Sequence, residues 1–184
     1  VSDVELDALN SGNGDWTGAS LTVQRSGGAV AADAFDFGST QSFTAANGTL
    51  SASGTDFATY TSANGALTVT FASGATTDLV NQVVRNIKYQ NATPYGTAEI
   101  EFVMNDGTDD SATSTVTVTS DNIHVTNNTD TATVDRTNGI SFLEAVAIAN
   151  AQTCTQTLIL QSDLTSTVSF TNSANLSGEI IVDA

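Results

Sequence analysis

Residues 63–91, "ANGALTVTFASGATTDLVNQVVRNIKYQN", hold one strand pattern and one helix pattern with a turn between them. After the Asn-Gly pair, the apolar Leu67, Val69 and Phe71 alternate with threonine, which predicts a β-strand with one buried face. The Ser-Gly pair that follows favours a turn. From Leu79 onward the apolar residues recur at intervals of three and four, which predicts an amphipathic helix.

The predicted helix carries a stripe of apolar side chains. It covers two or three turns, and either Thr77 or Asp78 is its N-cap, because an oxygen of such a side chain accepts a free backbone N–H. An apolar stripe on a short helix normally packs against the core. The stripe consists of Leu79, Val80, Val83, Val84 and Ile87.

Alternating apolar and polar residues bounded by glycine-containing turns recur through the first two thirds of the chain. Residues 19–25, 97–104 and 114–120 read "ASLTVQR", "TAEIEFVM" and "STVTVTS". Repeated short patterns of this kind predict antiparallel strands in a sandwich. We therefore expect residues 1–122 to form an all-β domain, a Greek-key β-sandwich with one short helix.

The sequence changes character after Asn122. Residues 139–152, "GISFLEAVAIANAQ", predict a second helix, and three short strand patterns follow it, "TLILQSDL", "STVSFTNS" and "EIIVDA". We expect residues 123–184 to form a small β-rich segment with a capping helix. The apolar "EIIVDA" has no evident partner, so we expect other sequence to cover it.

The composition excludes two classes of partner. The chain has 184 residues with four Lys and Arg against twenty Asp and Glu, a formal net charge of −16. Nucleic acids and anionic membrane surfaces both require basic residues, so we expect neither as a partner. No apolar run is long enough to span a bilayer, so no membrane insertion is expected. Cys154 is the only cysteine, which rules out an internal disulfide.

Acidic residues cluster at two places in the first domain and recur at its end. If the first residues form an extended strand, Asp3, Glu5 and Asp7 point to one side and present a row of carboxylates. The turn "NDGTDD" adds a second group, and Asp121 lies at the expected domain boundary. Because Ca²⁺ prefers carboxylate and carbonyl oxygens, the row predicts a calcium site. The alternative is that these are solvated turn residues.

The order of motifs "SDVELDALNSGNGDW", "NGALTVTF", "LVNQVVRNIKYQNAT" and "AEIEFVMNDG" resembles one cadherin-like, immunoglobulin-like repeat of giant calcium-dependent bacterial surface adhesins. The resemblance covers roughly residues 1–122 and implies tandem arrays on the bacterial cell surface. Such repeats usually carry one more strand before the first motif. The resemblance further implies that calcium ligands converge at one end of the sandwich. They would be Asp3, Glu5, Asp7, Asp106 and Asp121.

The second segment is similar to the start of secreted parallel β-helix proteins, in which a short helix caps the first coil. Leu143, Glu144 and Ala145 match part of the capping-helix motif, but its arginine is missing. Many such caps pair two cysteines, and only Cys154 is present here. This resemblance leaves open that the chain is a fragment of a β-helix polysaccharide-active enzyme.

The expected function is that of a structural module of an extracellular, calcium-stabilised adhesin or surface fibre, which spaces and stiffens the assembly. A module that binds a peptide or glycan, such as a host or cell-surface ligand, is the alternative. We expect no catalytic residues, because His124, the single histidine, lies in a strand-like run without evident partners. Expected partners are neighbouring modules or other copies, joined by strand exchange that buries Ile180, Ile181 and Val182.

Overall fold

The computed structural model describes residues 1–38, 42–128, 133–135, 138–152 and 156–160, and the backbone of 182–183. These residues are mostly β-sheet with short helices, which confirms a β-rich fold. The chain divides into two compact units. The first comprises residues 1–90 and 100–116, and the second comprises residues 91–99 and 117–184. The domain boundary predicted from the sequence was between residues 122 and 123.

A seven-stranded sheet dominates the first unit. In chain order the elements are α1 (Val4–Gly12), β1 (Ser20–Arg25), β2 (Asp33–Phe37), β3 (Thr44–Ala46), β4 (Thr49–Ala52), β5 (Thr55–Ala63), β6 (Ala66–Phe71), α2 (Thr77–Asn86), β7 (Ile87–Asn91), β8 (Ala98–Asn105) and β9 (Ser114–Val118). The strand order of the large sheet is β3-β4-β5-β6-β1-β8-β9, and a separate two-stranded sheet pairs β2 with β7. Strands β7, β8 and β9 each contain one or two terminal residues that belong to the second unit.

The alternating runs read from the sequence form the centre of this sheet. Strand β1 lies antiparallel between β6 and β8, so that Leu21 is opposite both Val69 and Met104. All three side chains are buried, because period-two alternation places one side of each strand against the core. Trp16 and Phe71 are also almost completely buried in this unit. The strands predicted at residues 19–25, 66–71, 97–104 and 114–120 are confirmed.

Helix α2 is confirmed, but its two ends differ from the prediction. The N-cap is Thr76, whose hydroxyl accepts a hydrogen bond from the backbone N–H of Leu79, and neither Thr77 nor Asp78 takes that role. Val80 and Val83 are fully buried, as their spacing predicted. Ile87 is not helical, because its backbone is extended and it begins β7, which pairs with β2.

The prediction of an extended strand at Asp3, Glu5 and Asp7 is wrong. Residues Val4–Gly12 are helical, with a kink at residues 9–11, and Asp3 is the N-cap. The Asp3 carboxylate accepts hydrogen bonds from the backbone N–H groups of Glu5 and Leu6. An acidic N-cap and acidic residues in the first turn both favour a helix here. A single row of carboxylates along one side therefore does not form.

The second unit contains a three-stranded parallel sheet and a helix. Strands β10 (Asn122–Val125), β11 (Thr157–Leu160) and β12 (Val182–Asp183) pair in that order. Helix α3 (Phe142–Ala151) confirms the second predicted helix. It begins with a capping box, in which the Ser141 hydroxyl accepts from the N–H of Glu144 and the Glu144 carboxylate accepts from the N–H of Ser141.

Several predictions fall on residues that the structure does not describe. The strand pattern "STVSFTNS", Cys154, Ile180 and Ile181 lie outside the described residues. Val182 is placed in β12 by its backbone alone. Among the described helices, none combines the length and the apolar character that a membrane span requires.

Candidate functional site

Four aspartates line one small cavity in the first unit. The cavity has a volume of about 200 Å³. Asp3 contributes from the start of α1, whereas Asp106, Asp109 and Asp110 contribute from the loop between β8 and β9. Two groups of residues that are about 100 positions apart in the chain therefore meet at one place. We refer to Asp3, Asp106, Asp109 and Asp110 together as the aspartate cavity.

The loop that supplies three of these aspartates is shaped by its own hydrogen bonds. The Asp106 carboxylate accepts from the backbone N–H groups of Thr108, at 2.7 Å, and Asp109, at 2.9 Å. These bonds hold the pKa of Asp106 below its ordinary value, and the bond from Asp109 has the largest effect. The Asn105 amide donates to the Asp110 carboxylate at 2.8 Å. Asp106 is therefore a carboxylate at neutral pH, with a fixed orientation.

Asp3 is held by the helix that it caps. Its carboxylate oxygen Oδ1 accepts from the N–H of Glu5 at 3.0 Å and of Leu6 at 2.8 Å. The backbone N–H of Asp3 in turn donates to the Asp7 carboxylate at 3.1 Å. These reciprocal bonds fix the side chain at the edge of the cavity without needing a ligand.

A chain of partly buried polar contacts adjoins the cavity. Trp16, which lines the cavity, is 1% exposed, and its indole N–H donates to the Thr77 hydroxyl at 2.9 Å. That hydroxyl donates to the Asp7 carboxylate at 2.5 Å. The chain of contacts connects the first residue of α2 to the first turn of α1. Sequence reasoning missed both roles, since neither Trp16 nor Thr77 belongs to an acidic motif.

The five residues predicted as calcium ligands do not all meet. Asp3 and Asp106 line the aspartate cavity. Asp7 is engaged by Thr77, and Glu5 is exposed and does not line this cavity. Asp121 is an exposed residue of the second unit. Asp109 and Asp110, which the sequence placed only in a turn, line the cavity instead. No three acidic, histidine or cysteine side chains among the described residues are arranged closely enough to hold a metal ion as they stand.

His124 lies in β10 of the second unit, in agreement with the strand-like run predicted from the sequence. Its side chain is half-buried, and burial lowers the pKa of its imidazole. Its Nδ1 atom is buried and has no hydrogen-bond partner among the described residues. The environment thus favours the neutral ring.

Comparison of the chain with protein-family models, with curated proteins and with solved structures found no match. The candidate calcium site therefore rests on the geometry and chemistry of its residues.

Proposed function

We propose that the chain is a structural module of an extracellular, calcium-stabilised adhesin or fibre on the bacterial cell surface. In this proposal the first unit is a Greek-key sandwich of the cadherin-like kind, and Ca²⁺ binds at the aspartate cavity. The observation that carries the proposal is the meeting of Asp3 with Asp106, Asp109 and Asp110 around one cavity. The module spaces and stiffens an assembly of neighbouring modules.

The chemistry of the cavity suits a hard cation. Calcium takes about six to eight oxygen ligands at flexible geometry, from carboxylates, carbonyls and water. Four carboxylates on a chain of net charge −16 repel one another, and few basic residues are available to offset them. A divalent ion relieves that repulsion only in the folded state, where the two groups of aspartates line one cavity.

An ion at this place would have a mechanical consequence. It would connect the start of α1 to the loop between β8 and β9, and these are separate segments of the first unit. A cross-link of this kind resists the displacement of the N-terminal segment from the sheet. That is the property that a spacer under tension needs.

The test is a thermal unfolding measurement in EDTA, in millimolar CaCl₂ and in MgCl₂. An ion that binds only the folded state stabilises it by about 2.7 kcal/mol at a concentration one hundred times its Kd. We expect calcium to raise the midpoint clearly and magnesium to raise it less, because Mg²⁺ demands a stricter octahedral geometry. Equal midpoints in EDTA and calcium would rule the calcium site out.

A matched pair of variants locates the ion. In Asp109→Asn/Asp110→Asn, both substituted residues line the cavity, and we expect the calcium-dependent part of the shift to disappear. The control is Asp36→Asn/Asp56→Asn, which removes the same charge from two exposed residues of β2 and β5. We expect that variant to keep the shift. Equal losses in the two variants would indicate a general charge effect.

The second unit favours a second candidate, the start of a parallel β-helix. Its strands pair in parallel and in register, with Ile123 opposite Leu158 and Leu158 opposite Val182. Stacking of this kind is how the coils of a β-helix propagate, and α3 would be the capping helix. A longer chain that carries further coils should unfold at a higher temperature, because each added coil stacks on the one before it. An unchanged midpoint on extension would count against this candidate.

A further inference from the structure

A second cavity in the first unit has a different character. It is a groove of about 500 Å³, and its apolar lining comes from β1, α2, β8 and β9. Phe102 and Val84 are half-buried there, and Val116 is 52% exposed. The groove shares Met104 and Ser111 with the aspartate cavity, so the two are contiguous. The apolar lining consists of Val1, Leu21, Val84, Phe102, Met104, Ala112 and Val116.

The groove borders an open strand edge. Strand β9 is the last strand of the seven-stranded sheet, and no described strand pairs with its outer side. Ser114 and Val116 line the groove, whereas the exposed Thr115 between them does not. A strand edge with no paired neighbour beside an apolar groove is the geometry that accepts an added strand.

Charge decides what kind of strand this surface accepts. The groove leads into a cavity with four aspartates, in a protein whose net charge is −16. An acidic segment is repelled there, and a second copy of this chain carries twenty acidic residues against four basic ones. A lysine or arginine next to an apolar stretch is complementary to both parts of the surface.

We propose that this groove binds an extended peptide segment of another polypeptide, with apolar side chains at alternate positions and a lysine or arginine at the end that reaches the aspartate cavity. The backbone of the segment pairs with the outer edge of β9, and its apolar side chains cover Phe102 and Val116. This inference goes beyond the calcium site. Calcium and the basic side chain compete for the same aspartates.

The test uses three fluorescein-labelled synthetic peptides in EDTA, followed by fluorescence anisotropy. The first has the sequence Lys-Val-Thr-Val-Thr-Val-Lys, the second replaces both lysines with glutamate, and the third replaces every valine with serine. The lysines stand at both ends so that either strand direction is tested. We expect only the first peptide to bind, and we expect added calcium to weaken it.

Two variants of β9 provide the matched control. Val116→Arg places a charged, bulky side chain in the groove, and we expect it to weaken binding by at least about tenfold. Thr115→Arg adds the same charge on the neighbouring residue that does not line the groove, and we expect a change within about twofold. Circular dichroism of both variants confirms that they fold.

Three outcomes would overturn the proposal. They are no binding of the first peptide, equal binding of the serine peptide, and equal effects of the two arginine variants. If no peptide binds and Val116→Arg abolishes a concentration-dependent dimer, a second copy occupies the groove and the proposal is wrong. Because binding is measured in EDTA, failure here leaves the thermal test of calcium unaffected.

Discussion

The Thr77 hydroxyl donates a hydrogen bond to the Asp7 carboxylate across 70 positions of sequence. The same hydroxyl oxygen accepts a hydrogen bond from the indole N–H of Trp16. One threonine therefore joins α1, the buried tryptophan and the start of α2. This contact gives Asp7 a structural partner, and it places the first turn of α1 beside the aspartate cavity.

Thr77→Val should destabilise the first unit. The substitution keeps the shape of the side chain but leaves the buried indole N–H of Trp16 without its acceptor, which costs about 1–3 kcal/mol. The measurement is urea unfolding followed by the fluorescence of Trp16, the only tryptophan in the chain. Thr61→Val, at an exposed position of β5, is the control and should change stability by less than about 0.5 kcal/mol. Equal stability of the two variants would show that the Thr77 contacts contribute little.

Gly14→Ala should be more harmful than the same change at Gly12. Both glycines have a positive φ, +82° and +85°, which costs a residue with a Cβ about 1–2 kcal/mol. At Gly14 the new Cβ would also lie 2.1 Å from the Thr77 Oγ1 atom, whereas at Gly12 nothing lies within 4 Å. Gly12→Ala thus measures the backbone cost alone. Overpacking at Gly14 should add about 1–3 kcal/mol, and equal free energies of unfolding would contradict the close approach.

Local patterns in the sequence were enough to predict four strands of the seven-stranded sheet, β1, β6, β8 and β9, and the helices α2 and α3. Alternation at Leu67, Val69 and Phe71 depends on burial of one strand face, and the structure buries that face. The same alternation wrongly predicted a strand at Asp3 and Asp7, because alternating residues over five positions fit either a strand or the first turn of a helix. The backbone hydrogen bonds accepted by Asp3 decided in favour of the helix.

The candidate site was only partly accessible to sequence reasoning. The acidic residues could be found by composition, but their partners depend on tertiary contacts between α1 and the loop after β8. Trp16 ends the first motif and Thr77 was an expected N-cap, but neither pattern predicts that their two side chains form a hydrogen bond. The groove beside β9 could not be read from residues such as Val84 and Val116, since an apolar residue in a helix or strand normally predicts burial.

Asp33→Asn should destabilise the first unit more than any surface charge change. Arg25 and Asp33 form a buried ion pair, with Nη2 to Oδ1 at 2.7 Å and Nε to Oδ2 at 2.9 Å. Removing one partner of such a pair leaves a buried charge and costs about 3–5 kcal/mol. Asp36→Asn, on the same strand but exposed, is the control and should cost little. A similar Trp16 fluorescence transition for the two variants in urea would contradict this expectation.

The second unit should lose stability as the pH falls below neutrality, and His124 should be the cause. Burial lowers the folded-state pKa of this imidazole below its ordinary value of 6.5, so the unfolded chain binds a proton more readily than the folded one. The stabilisation from the neutral ring is then complete above pH 6.5 and is lost as the pH falls through the lower, folded-state pKa. His124 is the only histidine, so few other side chains titrate in this range. Hydrogen exchange of the β10 and β11 amides, corrected for intrinsic rates, should show weaker protection at pH 5.5 than at pH 7.5. His124→Gln, which cannot titrate, should show equal protection at the two values, and a pH dependence that survives in this variant would assign the effect to other groups.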